Sequence, residues 1–524
     1  MTTRRHVLGL GAAVAAGSVL APTPALADYT TRVDPARGYG RWQGWGASLS
    51  WWANVFGRDS TLADIFYTTR WVRYHGSVLP GLGLNVVRYN LGASMWQPAW
   101  PGGPRMVASP NLPAFRKVQG YWVNWLSSDP ADPDSWNWSN DAEQRAMLRH
   151  AHTRGADVFQ LFSVSPIWWM CRNHNPSGAA DGGENLQDRY QRQHARYIAT
   201  VARYARDHWG IRFDSVEPFN EPSRGGHKAN GRAEGCYIGA LPDRPVQQRI
   251  IHHLRDELDS RGLGDVAIAA SDELSYRRAG YTWTNMATLN TRRLVGQVNT
   301  HGYQYDDDGP ARSALYDNVR ASGKRLWQSE YGEQYEHGLY LAYHVALDLR
   351  RLHPTAWCYW QPVDGQITDP ATGHRLSWGL LKAVYSFDRT RKAGSLGEPD
   401  PYPGTDPYVA NKYFVLAQYT RHIRPGMRII DSGSRSTVAA YDALRRRLVL
   451  VTVRGNTPQR VTYDLSRFAT VGNVVRRRVT DADPGYRIGR QYAAVPAVPV
   501  RGKRLAVDFS ANSVQSIEID NVRP

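Results

Sequence analysis

Glu221 stands in "VEPFNEPSRG", residues 216 to 225, directly after Asn220 and just where an apolar run stops. A second carboxylate, Glu330, closes the apolar stretch of "RLWQSEYG". One carboxylate alone does little chemistry. Two that flank one bond can hydrolyse a glycoside, one protonating the leaving oxygen and the other attacking the anomeric carbon or activating water. In that scheme Glu221 is the acid/base, with a pKa that its surroundings should raise. Glu330 is the nucleophile, kept ionised by Arg88 nearby. A separation of about 5–5.5 Å gives retention through a covalent intermediate, and a wider gap gives inversion. Asn220 is placed to hydrogen-bond the sugar hydroxyl beside the reacting carbon.

The elements that position this pair are legible as a repeat. Eight short apolar runs lie between residues 43 and 421: "GWGASLSWW", "NVVRYNLG", "VFQLFSVS", "DSVEPFNEP", "VAIAASDE", "QVNTHGYQ", "RLWQSEYG" and "TAWCYWQP". Amphipathic helical segments such as "DAEQRAMLRHAHTRG" separate several of them. Eight strand–helix alternations predict a closed (β/α)8 TIM barrel, whose reactive residues sit at the C-terminal strand ends. The first strand has no glycine-rich phosphate loop after it, which disfavours an open doubly wound sheet.

Reading the strand ends in order gives the substrate-binding candidates Trp52, Arg88, Asn90, Trp168, Asn220, His301, Tyr303 and Trp360 around the catalytic pair Glu221 and Glu330. Of the adjacent Trp168 and Trp169, one is expected to face sugar and the other to pack in the core. Glu217 shares a strand face with Glu221 by the two-residue period and reads as a deeper structural carboxylate. Glu333 is an alternative nucleophile, disfavoured because it lies beyond the strand end. His301 can orient the nucleophile, bind a hydroxyl or be a satisfied core histidine. Asp272 and Glu273 end the fifth strand and receive no role.

After about residue 422 the runs become short, β-branched and free of helical period, as in "RLVLVTVRG" and "RVTYDLS", which predicts an antiparallel β-sandwich side domain over 422–524. Residues 28–42 are expected to add a strand or two to it, leaving 43–421 for the catalytic barrel. Residues 1–27 read as an export signal with a basic start, a short apolar stretch and a small-x-small end, so the mature chain is expected outside the cell. Arg4 and Arg5 suggest the twin-arginine route. No later stretch approaches a transmembrane length.

The formal net charge is +17. The arginines are scattered singly, with no basic run interleaved with aromatics, so a nucleic-acid face is not indicated. The 19 Trp and 29 Tyr point instead to sugar, because such rings offer a flat apolar face and a polar edge. Three cysteines allow one disulfide, Cys171 with Cys236, or three buried thiols. No spacing matches a zinc site, and His150/His152 and His252/His253 read as surface residues. The expectation is a monomer with no cofactor, no metal, no membrane contact and a polysaccharide or oligosaccharide substrate.

With these residues in view, the chain resembles glycoside hydrolase family 30. "FNEP" is similar to the Asn-Glu acid/base motif of its clan and "WQSEYGE" to the nucleophile strand. "RYNLG", "HGY", Trp360 and "KYFVLAQYTRHIRPG" also fit. "GWGASLSWWANVFG" resembles the endo-β-1,6-galactanase subfamily, although those enzymes often carry Thr-Ser-Leu-Cys where this chain has Ala47, Ser48, Leu49 and Ser50. The resemblance implies a retaining hydrolase of β-1,6-linked galactan in arabinogalactan side chains. A β-1,6-glucanase, an exo-acting galactosidase and a catalytically silent carbohydrate-binding protein remain alternatives. The presence of both Glu221 and Glu330 argues against the last.

Overall fold

The computed structural model describes residues 28–110, 112–224, 227–229, 235, 238–239, 245–304, 309–368, 375–384, 395–396, 408–483 and 487–524. The expected export signal and Cys236 lie outside them. Cys171 and Cys358 are both buried.

Eight parallel strands close a barrel, and each overlaps one of the eight apolar runs, the sixth starting two residues before its run. They are β1 (Gly44–Ser48), β2 (Val86–Asn90), β3 (Val158–Phe162), β4 (Ser215–Glu217), β5 (Ala267–Glu273), β6 (Val295–His301), β7 (Arg325–Tyr331) and β8 (Ala356–Tyr359). β8 pairs with β1 to complete the ring. At that seam Gly46 leaves no room for a side chain, since a Cβ there would lie 2.6 Å from the Val86 Cβ and 2.9 Å from the Cys358 Sγ.

The strands are buried on both faces, which favours near-continuous apolar sequence, yet several inward residues are polar. Gln160 accepts hydrogen bonds from Arg88 Nε at 3.2 Å and Asn299 Nδ2 at 3.1 Å, and it donates to Ser215 Oγ at 3.0 Å. The large majority of buried polar groups are paired in this way. The alternate residues, such as Val87, Leu161 and Val298, are part of the apolar core around the barrel. Helices Gln191–Tyr204 and Val246–Asp259 bury Ile198, Val201, Ile250 and Leu254 in that core. Each such side chain contributes roughly 1.5–3 kcal/mol.

The side domain has two sheets. Seven strands run in the order Asp34–Arg41, Arg428–Asp431, Thr437–Asp442, Arg447–Arg454, Ser513–Ile519, Val475–Asp481 and Ala493–Val495. Three more, Tyr29–Arg32, Gln459–Asp464 and Arg504–Phe509, form the second sheet. Leu448, Leu450, Val461, Leu505 and Ile517 fill the space between them. Both segments before the barrel thus join the sandwich. The first pairs parallel with Gln459–Asp464, so the domain is not antiparallel throughout.

Helix Asn411–Thr420 couples barrel and sandwich. Gln418 donates to Thr480 Oγ1 at 3.0 Å and accepts from Ser516 Oγ at 2.7 Å. Val438, Val449 and Val451 of the larger sheet belong to the same apolar core as the barrel. After β8 a small sheet, which includes Val363–Thr368 and Leu381–Val384, lies where the sequence signalled no strands. Among the described residues no helix is long and apolar enough to cross a membrane.

Candidate active site

The β4 ladder stops at Glu217 because Pro218 cannot donate to it. The chain then turns, and Glu221 takes a left-handed backbone with φ of 45°. Its peptide N–H donates to the Asp272 carbonyl at 2.8 Å. Glu330 reaches the same space from β7. The β6–β7 register shifts between Thr300 and His301, which puts His301 opposite Glu330. Irregularities of this kind re-aim side chains beside active sites. Gly302 follows because a Cβ there would lie 2.4 Å from His344 Nε2 and 2.6 Å from Gln328 Nε2.

One ligand atom each from Glu221, His301 and Glu330 lies within 4.8 Å of the other two. His301 Nδ1 is 3.1 Å from Glu221 Oε1 and 3.4 Å from Glu330 Oε1. Its other ring nitrogen is 3.2 Å from Asp272 Oδ2. Arg88 spans two carboxylates, donating to Glu330 Oε2 at 3.1 Å and to Asp272 Oδ2 at 2.5 Å. Tyr303 donates its hydroxyl to Glu330 Oε1 at 3.1 Å, and Ser329 donates to Asp272 Oδ1 at 2.5 Å. Arg224 donates to Glu221 Oε2 at 2.6 Å, with the buried His227 Nε2 3.5 Å from the same oxygen. Three oxygen- and nitrogen-bearing groups at this spacing could also hold a cation, but His301 already faces both carboxylates as a charged donor.

Burial alone opposes the charge on His301, but the carboxylates of Glu330 and Asp272 outweigh it and push its pKa up to about 10. It is therefore an imidazolium at neutral pH. Burial raises the Glu330 pKa, and the Glu221 and Asp272 charges add to that rise against His301 and Arg88. Glu221 goes the other way. Burial would raise it, but hydrogen bonds from His227 and His301 and the charge of Arg224 hold it below the usual carboxylate range. The expected high pKa on Glu221 is thus not the state of the free site. The reasons are His227 and His301 first and then the charge of Arg224, three residues on, whose contact with Glu221 the sequence did not reveal.

Other expectations are corrected by packing. Trp52 is fully buried, donates its indole N–H to the Ser48 carbonyl at 2.9 Å and packs edge-on to Phe66. Its neighbour Trp51 lines a cavity with Asn90 and meets Trp360 edge-on at 5.9 Å. Trp168 and Trp169 are both buried, so neither offers an open face to sugar. Trp169 donates to the Trp122 carbonyl at 3.0 Å. The buried Asn220 Oδ1 and Asn90 Oδ1 have no partner among the described residues. Both are acceptors suited to a substrate hydroxyl.

Glu217 lies deeper. Burial first, and then the charge of Asp272, puts its pKa well above the usual range. Burial raises Glu333 to about 8, and it lies outside the Glu221–His301–Glu330 cluster. His252 faces the Leu289 carbonyl at 3.1 Å.

The model of O-glycosyl hydrolase family 30 matches residues 28–279, and that of glycosyl hydrolase family 59 matches residues 185–421. An endo-beta-1,6-galactanase of Hypocrea rufa is 41% identical over 501 residues, covering 95% of this chain and 96% of that relative. The chain belongs to O-glycosyl hydrolase family 30. As a member it is an O-glycosyl hydrolase. This family 30 enzyme is also 24% identical to an exo-beta-1,6-galactobiohydrolase of Bifidobacterium longum, over 82% of this chain and 34% of that relative. The catalytic domain of a GH30 xylanase C from Talaromyces cellulolyticus superposes with a TM-score of 0.65 at 17% identity, over 94% of this chain and 100% of that one. Identity that low speaks for the shared barrel-and-sandwich fold alone.

The sequence places Asp272 and Trp51 at strand ends without a role and does not signal Arg224, His227 or Trp378 of this family 30 site. Asp272 carried a usable signal, since it ends β5 as the other site residues end their strands. Trp378, whose ring lies 6.0 Å from that of Tyr303, comes from the small sheet after β8 and had none.

Proposed function

We propose that this chain is a secreted, retaining endo-β-1,6-galactanase that acts as a monomer on the galactan side chains of arabinogalactan. The observation that carries the reading is the approach of Glu221 and Glu330 to within 4.8 Å around His301. A double displacement needs carboxyl groups about 5–5.5 Å apart, whereas inversion needs room for a water between them. The relative from Hypocrea rufa supports the linkage and the endo action, and the basic, small-residue segment at 1–27 supports export.

In this reading a Glu330 oxygen attacks the anomeric carbon as the glycosidic C–O bond breaks, and Glu221 protonates the departing oxygen. The resulting glycosyl ester is opened by water, which gives its proton to Glu221, and Glu330 leaves as carboxylate. Arg88 and Tyr303 hold the nucleophile in line and stabilise its charge. For the first step Glu221 must carry a proton. Substrate that draws Arg224 off Oε2 removes one cause of its low pKa, so that Glu221 can take up a proton from solvent. Asn220 receives the hydroxyl next to the reacting carbon.

A time course on β-1,6-galactan, β-1,6-glucan and xylan tests this function. The expected result is internal cleavage of galactan to a ladder of oligomers, with the β-anomer formed first in proton NMR. Galactobiose as sole early product points to exo action. Early α-anomer, or cleavage of glucan or xylan in preference to galactan, contradicts the reading.

A further inference from the structure

A second cleft, about 910 Å³ in volume, is built wholly by the segment between β2 and the helix Ala142–Thr153. That volume is near the top of the roughly 300–1,000 Å³ range of ligand sites. The segment stays on the C-terminal end of the barrel, because the Ala93 carbonyl accepts from the Trp168 N–H at 2.9 Å, just beyond β3. Its walls combine Trp100 and Trp136 with Gln97, Gln119, Asn137 and Asp134.

The lining is prepared for a ligand in three ways. Trp100 is held rigidly: the Gly103 N–H donates to its carbonyl at 2.8 Å, and a Cβ on Gly103 would come within 2.7 Å of the ring. Trp125 braces it edge-on at 5.4 Å. Trp136 is 2% exposed, yet its buried indole N–H has no acceptor among the described residues. The cleft walls carry no lysine, arginine or histidine although the protein is strongly basic. That selects against phosphates, nucleic acids and uronates. Flat aromatic faces with amide donors and acceptors suit a neutral polyhydroxylated ring, whose C–H face stacks while its hydroxyls bond at the edge.

We propose that this cleft is a distal binding site for a neutral glycan, holding a stretch of the galactan chain remote from the cleaved bond. The proposal rests on the galactanase reading for the identity of the sugar, but not for the chemistry of the site. A second foothold on one chain raises the effective concentration of its scissile bonds, so it acts on long substrate and leaves short substrate untouched.

The test compares wild type with Trp100→Ala, and with Asp134→Ala as an exposed variant that disturbs no packing. Rates on long β-1,6-galactan and on a short β-1,6-galacto-oligosaccharide are measured together with retardation in gels containing galactan, β-1,6-glucan or xylan. Trp100→Ala is expected to lose about tenfold in kcat/KM on the polymer, entirely through KM, on the scale of an aromatic anchor at a binding surface. Its rate on the oligosaccharide should not change, and its retardation by galactan should fall. Asp134→Ala should shift in the same direction. Equal loss on both substrates, or undiminished retardation in both variants, overturns the site. If the wild type cleaves and is retarded by glucan in place of galactan, the substrate reading fails, and loss of glucan retardation in Trp100→Ala still supports the cleft.

Discussion

The peptide N–H of Glu221 donates to the carbonyl of Asp272 at 2.8 Å, and both residues hold left-handed backbones, with φ of 45° and 56°. Such conformations cost non-glycine residues on the order of 1–3 kcal/mol and persist where the surroundings over-determine them. Here the surroundings are Arg88, His301 and Ser329, which all reach the Asp272 carboxylate. Burial raises the pKa of that carboxylate, but Arg88 and His301 outweigh it and the net shift is downward. Asp272 therefore ties the strand end carrying Glu221 to the arginine that holds Glu330.

Asp272→Asn keeps the shape and removes the charge that faces Arg88. Leaving a buried cation half-paired costs about 3–5 kcal/mol. A urea titration should show that loss, and activity should fall with it because both Glu221 and Glu330 shift. An unchanged midpoint with unchanged activity contradicts this role.

Arg224→Met removes the cation beside Glu221 Oε2. In the proposed mechanism Glu221 is the proton donor and sets the alkaline limb of the kcat/KM profile. With Arg224 gone its pKa rises, so the alkaline limb moves to higher pH. The check is a pH profile of both proteins on one short substrate. Superposed limbs, or a move to lower pH, run against the assignment.

His301 links stability to pH with a definite sign. Its folded pKa is pushed up to about 10 by Glu330 and Asp272 against burial, and its unfolded value is about 6.5. The stability it contributes is fully present below about pH 6.5 and is lost as pH rises through the folded value. The Tm of the wild type should therefore decline between neutral pH and pH 10 more steeply than that of His301→Asn. Parallel curves mean that His301 is not held charged.

Much of this site is legible in the sequence. Strand ends in a barrel converge by geometry, so Arg88, Asn220, Glu221, His301, Tyr303 and Glu330 fall together once eight runs are recognised. What escaped depends on side-chain direction and on loops. Trp51 and Trp52 are equal in sequence and both buried, and only packing separates them: Trp52 lies against Phe66, whereas Trp51 lines a cavity with Asn90. Arg224 looks like any loop arginine until the turn after β4 folds it back on Glu221. The long segment that builds the second cleft has no period to read.

Glu221→Gln should fold as the wild type and lose about 10²–10⁴-fold on galactan, the usual share of general acid–base catalysis. A substrate with an acidic phenol as leaving group needs no proton, so its glycosylation step should be spared. Equal losses on both substrates point to a binding role for Glu221.

The central claim is that Glu330 forms a bond to the anomeric carbon. A 2-deoxy-2-fluoro galactoside with a good leaving group slows the hydrolysis of that bond, and the intact protein and its peptides can then be weighed. The account predicts one fluorosugar per chain, on the peptide containing "WQSEYGE" at Glu330, with none on Glu330→Ala. Label on Glu333 or Glu217, or inactivation without a covalent adduct, contradicts it.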